Sequence, residues 1–439
     1  MGLKKLLTQS IIWRCTYFFS VLLVNIFLAR YLQAAGTGNL YFITVLFSFV
    51  QVALSLGGES GFIFFASANA IEKNKLTTVS IVWSFIAGII AIGLVYIFFA
   101  FNHSANNEQI RWYSAFAFLY VCGQMLTNFC VGIYYSRENY LLPNLILAFV
   151  NFAFVVFIAL QNSKPVAIEI QWATFFYFAT FFMGGLLVYI SYTFQYKHEG
   201  AMGFPDRLSF IKLLHYSITA LGANVVFFLV YKIDYLFVNY SPVSTATDLG
   251  NYIQASKMGQ LMLLIPQIIA SVVFPRTASG IEAASLSNAI MIISRLLSQL
   301  FLIVFIGVAL IGSWFFTTVF GASFNEMEIP MLLLIPGIFS LSILALLSAY
   351  FAGKGKVKIN LYGAIIGLVV MIVGDFIFVP RYGIIAAALI STLSYAANVS
   401  YSMYNFYRDY AVRWVEFFKW KKTDYAALLS LLKFNKASS

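Results

Sequence analysis

Apolar runs of about twenty residues or more recur along the whole chain, separated by short polar connections. They occupy 11–32, 38–57, 78–101, 112–134, 140–161, 171–194, 213–240, 250–274, 290–319, 329–352, 358–379 and 383–407. A helix rises 1.5 Å per residue, so about twenty apolar residues cross a hydrocarbon core about 30 Å thick. Within lipid each run must be helical, because every backbone N–H and C=O needs a partner inside its own segment. The pattern predicts an all-α integral membrane protein of about twelve transmembrane helices.

Composition excludes the alternatives. Of 439 residues, 61% are hydrophobic and 10% charged, and the mean hydropathy is +0.86. A soluble domain carries about 25% charged residues, so this surface must face lipid. A formal charge of +11 raises the question of nucleic acid, but the basic residues sit in the gaps between apolar runs and act as topology signals. No nucleic-acid partner is expected. With the N-terminus inside, Lys4, Lys5, Lys73, Lys75, Arg137, Lys197, Arg207, Lys212, Arg276, Arg295, Lys354, Lys356 and Lys358 fall at cytoplasmic ends, while only Arg30, Arg111, Lys164 and Arg381 fall outside. The tail adds Arg408, Arg413, Lys419, Lys421, Lys422, Lys433 and Lys436. Both termini of this multi-pass protein are therefore expected in the cytoplasm. The first run is too long for a signal-peptide core and has no small-residue cleavage site, so it reads as the first membrane helix. Cys15, Cys122 and Cys130 all fall in apolar runs and are expected to be buried thiols without a redox or metal role.

The chain also repeats itself weakly. Lys5-Leu6-Leu7-Thr8-Gln9-Ser10-Ile11 resembles Lys212-Leu213-Leu214-His215-Tyr216-Ser217-Ile218, Gly38-Asn39 matches Gly250-Asn251, and Tyr134-Tyr135 precedes Asn144 as Tyr350-Phe351 precedes Asn360. The order points to two homologous six-helix halves running the same way through the membrane, related by an axis along its normal. The expected division is an N-terminal lobe at 1–205, a C-terminal lobe at 206–411 and a tail at 412–439. The tail alternates Trp414, Phe417, Phe418 and Trp420 with Lys419, Lys421 and Lys422, then becomes rich in leucine at Leu428, Leu429, Leu431 and Leu432. It reads as an amphipathic helix lying on the anionic inner leaflet, a plain anchor or a partner-docking element.

No enzyme signature stands out, and no cofactor is expected. His103, His198 and His215 are scattered, and Glu326 with Glu328 reads as a solvated outer loop. The informative residues are charges within the spans, since each costs about 3 kcal/mol or more at the bilayer centre unless it faces a cavity or a partner. Arg14 lies about one turn into the first span, where it either snorkels to the interface or holds an anion. Lys232 and Asp234 sit two apart in the seventh span and so point to different sides of it. Lys257, in the eighth span, is by depth a plausible partner for Asp234. Gln254, Lys257 and Gln260 recur every three residues as a polar strip, either facing a cavity or belonging to a Lys–Asp clamp. Asp375 lies near the outer end of the eleventh span, where exposure at the interface is the ordinary reading and a proton or sodium site the alternative. Pro266 and Pro336 interrupt the eighth and tenth spans, as hinges beside a site or as passive kinks.

Leu28-Ala29-Arg30-Tyr31-Leu32 with Gly36 and Gly38 resembles the LARxLG…G stretch of bacterial polysaccharide-repeat-unit flippases, with Gln33 standing where that pattern has its first Gly. Similar runs follow in order: Gly250-Asn251-Tyr252, Ala255-Ser256-Lys257, Ile265-Pro266, Phe274-Pro275-Arg276, Leu334-Ile335-Pro336-Gly337 and Tyr350-Phe351-Ala352-Gly353-Lys354-Gly355-Lys356. Val379-Pro380-Arg381-Tyr382-Gly383-Ile384 resembles the family's IPxYGIxGAA pattern, with Ala386 where a Gly is usual. The resemblance implies two six-helix lobes around a central cavity, alternating access, and export of polyprenyl-pyrophosphate-linked oligosaccharides such as O-antigen units of lipopolysaccharide. It implies basic cavity residues, for which Arg14, Lys257 and Lys232 are the candidates, beside Asp234 and Asp375 for ion coupling or a charge pair. It also suggests a place in a bacterial cytoplasmic (inner) membrane, with a polysaccharide polymerase and a chain-length regulator as partners. The rival readings are an ion-coupled multidrug exporter of the same superfamily, a membrane polymerase or glycosyltransferase, and a non-transporting scaffold.

Overall fold

The structure is a computed structural model that describes residues 3–102, 106–162, 169–200, 202–278, 283–410, 414–421 and 423–424. The helices are α1 (Leu3–Leu54), α2 (Gly58–Ser67), α3 (Lys73–Asn102), α4 (Asn107–Tyr135), α5 (Leu141–Asn162), α6 (Ile170–Tyr196), α7 (Arg207–Asn239), α8 (Ala246–Met262), α9 (Leu264–Ala278), α10 (Ala283–Phe320), α11 (Glu328–Gly353) and α12 (Val357–Tyr410). Among the described residues nine helices are long and apolar enough to cross a membrane. Two of them, α1 with 52 residues and α12 with 54, are each two spans joined at a single non-helical residue. That residue is Gln33 (φ 58°, ψ 178°) in α1 and Gly383 (φ 55°, ψ −136°) in α12. The second arm of α1 continues into α2, and α8 with α9 forms one further span. The expected spans are thus all present.

The breaks have local causes. Thr245 opens α8 with a capping box shared with Asp248. Pro266 lacks the N–H that would bond the carbonyl of Met262, and α8 ends at Met262. Pro336 lies inside an unbroken α11, where Thr392 Oγ1 donates to Leu333 O at 2.6 Å and Ser340 Oγ to Pro336 O at 3.0 Å.

The chain divides into two compact units, Met1–Phe228 and Leu229–Ser439. The division by contacts falls within α7, whereas the connection at 195–207 is the natural division of the sequence. Gly57 and Gly61 explain the difference. A Cβ on Gly57 would lie 2.1 Å from Ser217 O, and one on Gly61 2.2 Å from Ser217 Oγ. The absence of side chains lets the start of α7 pack directly on α2. The first unit is centred on α4, which is largely buried. Gly123 of α4 and Gly185 of α6 bring those backbones together, since a Cβ on Gly123 would meet Phe181 C at 2.4 Å. In the second unit α11 is the buried centre, and Gly363, Gly367 and Gly374 let the arms of α12 meet at Asn398, Ser394 and Ile390.

Two expectations need correction. Cys122 and Cys130 are buried, but Cys15 is exposed, because it points outward from α1. The described part of the tail is a 3-10 turn at Trp414–Phe417 followed by helical backbone at 423–424, with the rest of the expected amphipathic helix outside the described residues. It is held down by Arg295, which is 4% exposed rather than a free topology charge. Arg295 donates to both carboxylate oxygens of Asp424, at 2.8 and 2.7 Å, and to Glu416 O at 2.9 Å. Phe417 is buried against Phe406. The leucine-rich part, Leu428, Leu429, Leu431 and Leu432, lies outside the described residues.

The left-handed backbone at Gln33 favours glycine. Gln33→Ala keeps the strained backbone and loses the side-chain hydrogen bond to Arg30 O, so it is expected to lower the thermal midpoint of the purified protein by the loss of about 1 kcal/mol. The hydrogen bonds from Arg295 hold the Asp424 carboxyl below the usual carboxylate range. Its stabilisation is therefore present above the ordinary pKa of about 3.9 and lost as pH falls through the lower folded value. Asp424→Ala leaves Arg295 buried without its partner and is expected to cost about 3 kcal/mol near pH 7. The cost should shrink toward zero in acid, as read from thermal unfolding in detergent across pH.

Candidate functional site

In the first unit Arg14 is half-buried on α1. Its guanidinium lies 4.7 Å from the ring centre of Tyr135 and 5.7 Å from that of Tyr140, a cation–π setting that holds a cation without neutralising it. Among the described residues no carboxylate pairs with Arg14, and its Nε has no hydrogen-bond partner. Tyr135 is fixed from behind by Asn144, whose Nδ2 donates to the Tyr135 hydroxyl at 2.9 Å.

The remaining candidates gather in the second unit. Lys232 and Asp234 take different partners, as two-residue spacing on a helix requires. Lys232 Nζ donates to Gln260 Oε1 at 3.1 Å and lies 4.9 Å from the ring centre of Tyr235. Gln260 Nε2 and the Tyr235 hydroxyl both donate to Ser256 Oγ, at 3.3 and 2.8 Å. Asp234 is 1% exposed. Its Oδ2 accepts from the Tyr252 hydroxyl and from Ser391 Oγ at 3.1 Å, and its Oδ1 from the Tyr235 N–H at 3.0 Å. Lys257 is half-buried and within electrostatic reach of Lys232. Gln254 is 1% exposed, so that end of the polar strip faces the packed interior rather than an open space.

Asp375 differs most from its sequence reading. It is fully buried, not exposed at the outer interface, because Gly374 and Gly367 draw the second arm of α12 over it. Neither of its carboxylate oxygens has a hydrogen-bond partner among the described residues, and the charge of Asp234 reaches it. The structure thus brings Lys232, Asp234, Lys257, Gln260 and Asp375 into one unit. Glu326 is exposed and lines an open cavity of about 530 Å³ with Asp248, Glu328 and Arg381, where the neighbouring Asp248 carboxyl raises its own above the usual range.

A family model described as "Polysaccharide biosynthesis protein" matches residues 27–329. The chain belongs to the polysaccharide biosynthesis protein family. Its fold is that of MOP superfamily transporters. The lipid II flippase MurJ in an inward closed conformation is 15% identical with a TM-score of 0.67, over 90% of this chain and 87% of that one. An inward-facing multidrug resistance MATE transporter is 13% identical with a TM-score of 0.68, over 94% and 96%. A MOP superfamily transporter from Pyrococcus furiosus is 13% identical with a TM-score of 0.63, over 92% and 94%. No curated protein matches the sequence. This polysaccharide biosynthesis protein is a multi-pass integral membrane protein with the twelve-span, two-lobe architecture of that fold.

Sequence reasoning missed Glu59. The second apolar run ends at 57, so Glu59 reads as a loop residue, but α1 ends at Leu54 and a further helix, α2, follows at Gly58–Ser67. Glu59 therefore sits in the first turn of a helix, α2, that packs on α4 and α7. The signal that could have found it is the Gly57-Gly58 pair at the end of an apolar run.

Tyr252→Phe keeps the edge-to-face contact with Tyr235, at 5.8 Å and 89°, and removes the hydroxyl that Asp234 accepts from. A hydrogen bond to a charged group is worth about 1.5–3 kcal/mol, so the thermal midpoint of the purified protein should fall, and Tyr252→Leu should lower it further.

Proposed function

We propose that this protein is a flippase that carries polyprenyl-pyrophosphate-linked oligosaccharide repeat units from the inner to the outer leaflet by alternating access. A pyrophosphate and its sugars cannot enter hydrocarbon unaided, so the protein must offer polar and cationic groups at membrane depth while the lipid tail stays in the bilayer. The observation that carries the reading is Arg14, a guanidinium inside the first span that rests on aromatic faces and pairs with no carboxylate among the described residues. Lys232 and Lys257 offer two further cations within membrane helices. Family membership supports a substrate from polysaccharide synthesis, and the transporter fold supports carriage rather than sugar transfer.

Asp234 and Asp375 fit an ion-coupling role. A carboxylate without partners is costly in a buried site, so Asp375 needs a proton or a small cation. The same feature suits the second reading, an ion-coupled multidrug exporter, whose substrate would be an organic cation or a neutral amphiphile instead of an anion.

Depletion of the protein in its own host separates the two. Complete lipid-linked repeat units should accumulate on the cytoplasmic face. Unchanged lipid-linked glycans with raised drug sensitivity would favour the exporter. Arg14→Ala and Lys257→Ala should each reduce glycan export about tenfold, corresponding to about 1.4 kcal/mol, at unchanged protein level. Full export by both variants would remove the cationic site from the mechanism. In proteoliposomes, Asp375→Asn should abolish any response of flipping to an imposed proton or sodium gradient, read from the membrane side of a labelled lipid-linked oligosaccharide.

A further inference from the structure

Resting on the flippase reading, we propose that a polar stripe along α4, completed by Glu59, Gln51 and Ser48, is a subsite for the sugar hydroxyls of the lipid-linked substrate. Tyr120, Gln124, Asn128 and Tyr135 follow one another at spacings of four, four and seven and so share one face of α4. At 1.5 Å per residue the stripe runs for about 22 Å, and the first unit alone contains it.

One end is the Tyr135 ring under the Arg14 guanidinium, at 4.7 Å. In the middle, Asn128 Nδ2 donates to Glu59 Oε1 at 2.7 Å and Gln51 Nε2 to the same oxygen at 3.0 Å. Gln124 Nε2 donates to Asn128 Oδ1 at 3.3 Å. At the other end the Tyr120 hydroxyl and Ser48 Oγ are 2.7 Å apart. Glu59, Gln124, Asn128 and Ser48 are half-buried, so each keeps surface for a ligand.

The carboxylate decides the chemistry. Amide and hydroxyl pairs suffice to fasten helices to one another in a membrane, and a neutral Gln at 59 would serve that purpose without the cost of a charge. Among the described residues no cation pairs with Glu59, and both of its amide bonds fall on Oε1. Oε2 therefore remains for a donor brought by a ligand. A carboxylate, three amides and hydroxyls make a surface of acceptors and donors suited to hydroxyl groups. The stripe leads away from Arg14, as a glycan leads away from its pyrophosphate.

The test uses the full chain in lipid nanodiscs and two probes: polyprenyl pyrophosphate alone, and the same lipid carrying the oligosaccharide extracted from the host. Wild type is expected to bind the glycan-bearing lipid more tightly. Glu59→Gln and Gln124→Leu are each expected to weaken that binding about tenfold, the loss of about 1.4 kcal/mol, while binding of the bare lipid changes less than twofold. Equal losses for both probes, or no loss for either, overturn the subsite. Wild type that binds both probes with the same affinity overturns it as well and leaves the flippase reading standing. Wild type that binds neither overturns both. Gln124→Leu touches only the bond to Asn128, so it carries the test if Glu59→Gln lowers the yield of folded protein.

Discussion

Hydrocarbon offers no hydrogen bonds, and nearly every structural choice in this protein follows from that constraint. Each crossing must be a helix that satisfies its own backbone. Each departure from a helix must be repaired locally or placed where something else can repair it. The reversal at Gln33 is covered by its own side chain, which donates from Nε2 to Arg30 O at 2.8 Å. The proline-bearing region of α11 borrows Thr392 from α12. Just past the break between α1 and α2 a carboxylate recruits amides from α1 and α4.

Lipid tails are as apolar as leucine, so helices in a bilayer gain little from hydrophobic burial against one another. Close packing must replace it. The glycines supply that packing in a few decisive places: Gly57 and Gly61 against Ser217, Gly123 against α6, and Gly363, Gly367 and Gly374 across the arms of α12. These contacts assign the first turns of α7 to the first unit and bury Asp375 in the second. Side chains at membrane depth then acquire chemistry from what the glycines allow to approach them.

The two units use their polar groups differently. In the second, Asp234, Tyr252 and Ser391 form one hydrogen-bonded group and Lys232, Gln260 and Ser256 another, joined through Tyr235, and neither carboxylate oxygen of Asp375 has a hydrogen-bond partner among the described residues. In the first, a cation rests on aromatic rings and a stripe of amides runs along α4. A carrier of an anionic headgroup bearing neutral sugars needs both kinds of surface, and a gradient-driven one also needs a carboxyl that can bind and release a small cation.

The sequence by itself determined the number of crossings and the all-helical class, because span length and charge placement are local properties that lipid enforces without tertiary help, and its ordered motifs pointed to polysaccharide biosynthesis. It also located Arg14, Lys232, Asp234, Lys257 and Asp375, since a charge within an apolar run is conspicuous. It did not determine what those charges touch. The burial of Asp375, the tail folded under Arg295 and the exposure of Cys15 depend on which helix faces meet, and Phe- and Leu-rich spans with no polar face carry almost no periodic signal to say so. Glu59 was hidden for a related reason: only the packing of α2 on α4 and α7 places its carboxylate against the amides of α1 and α4.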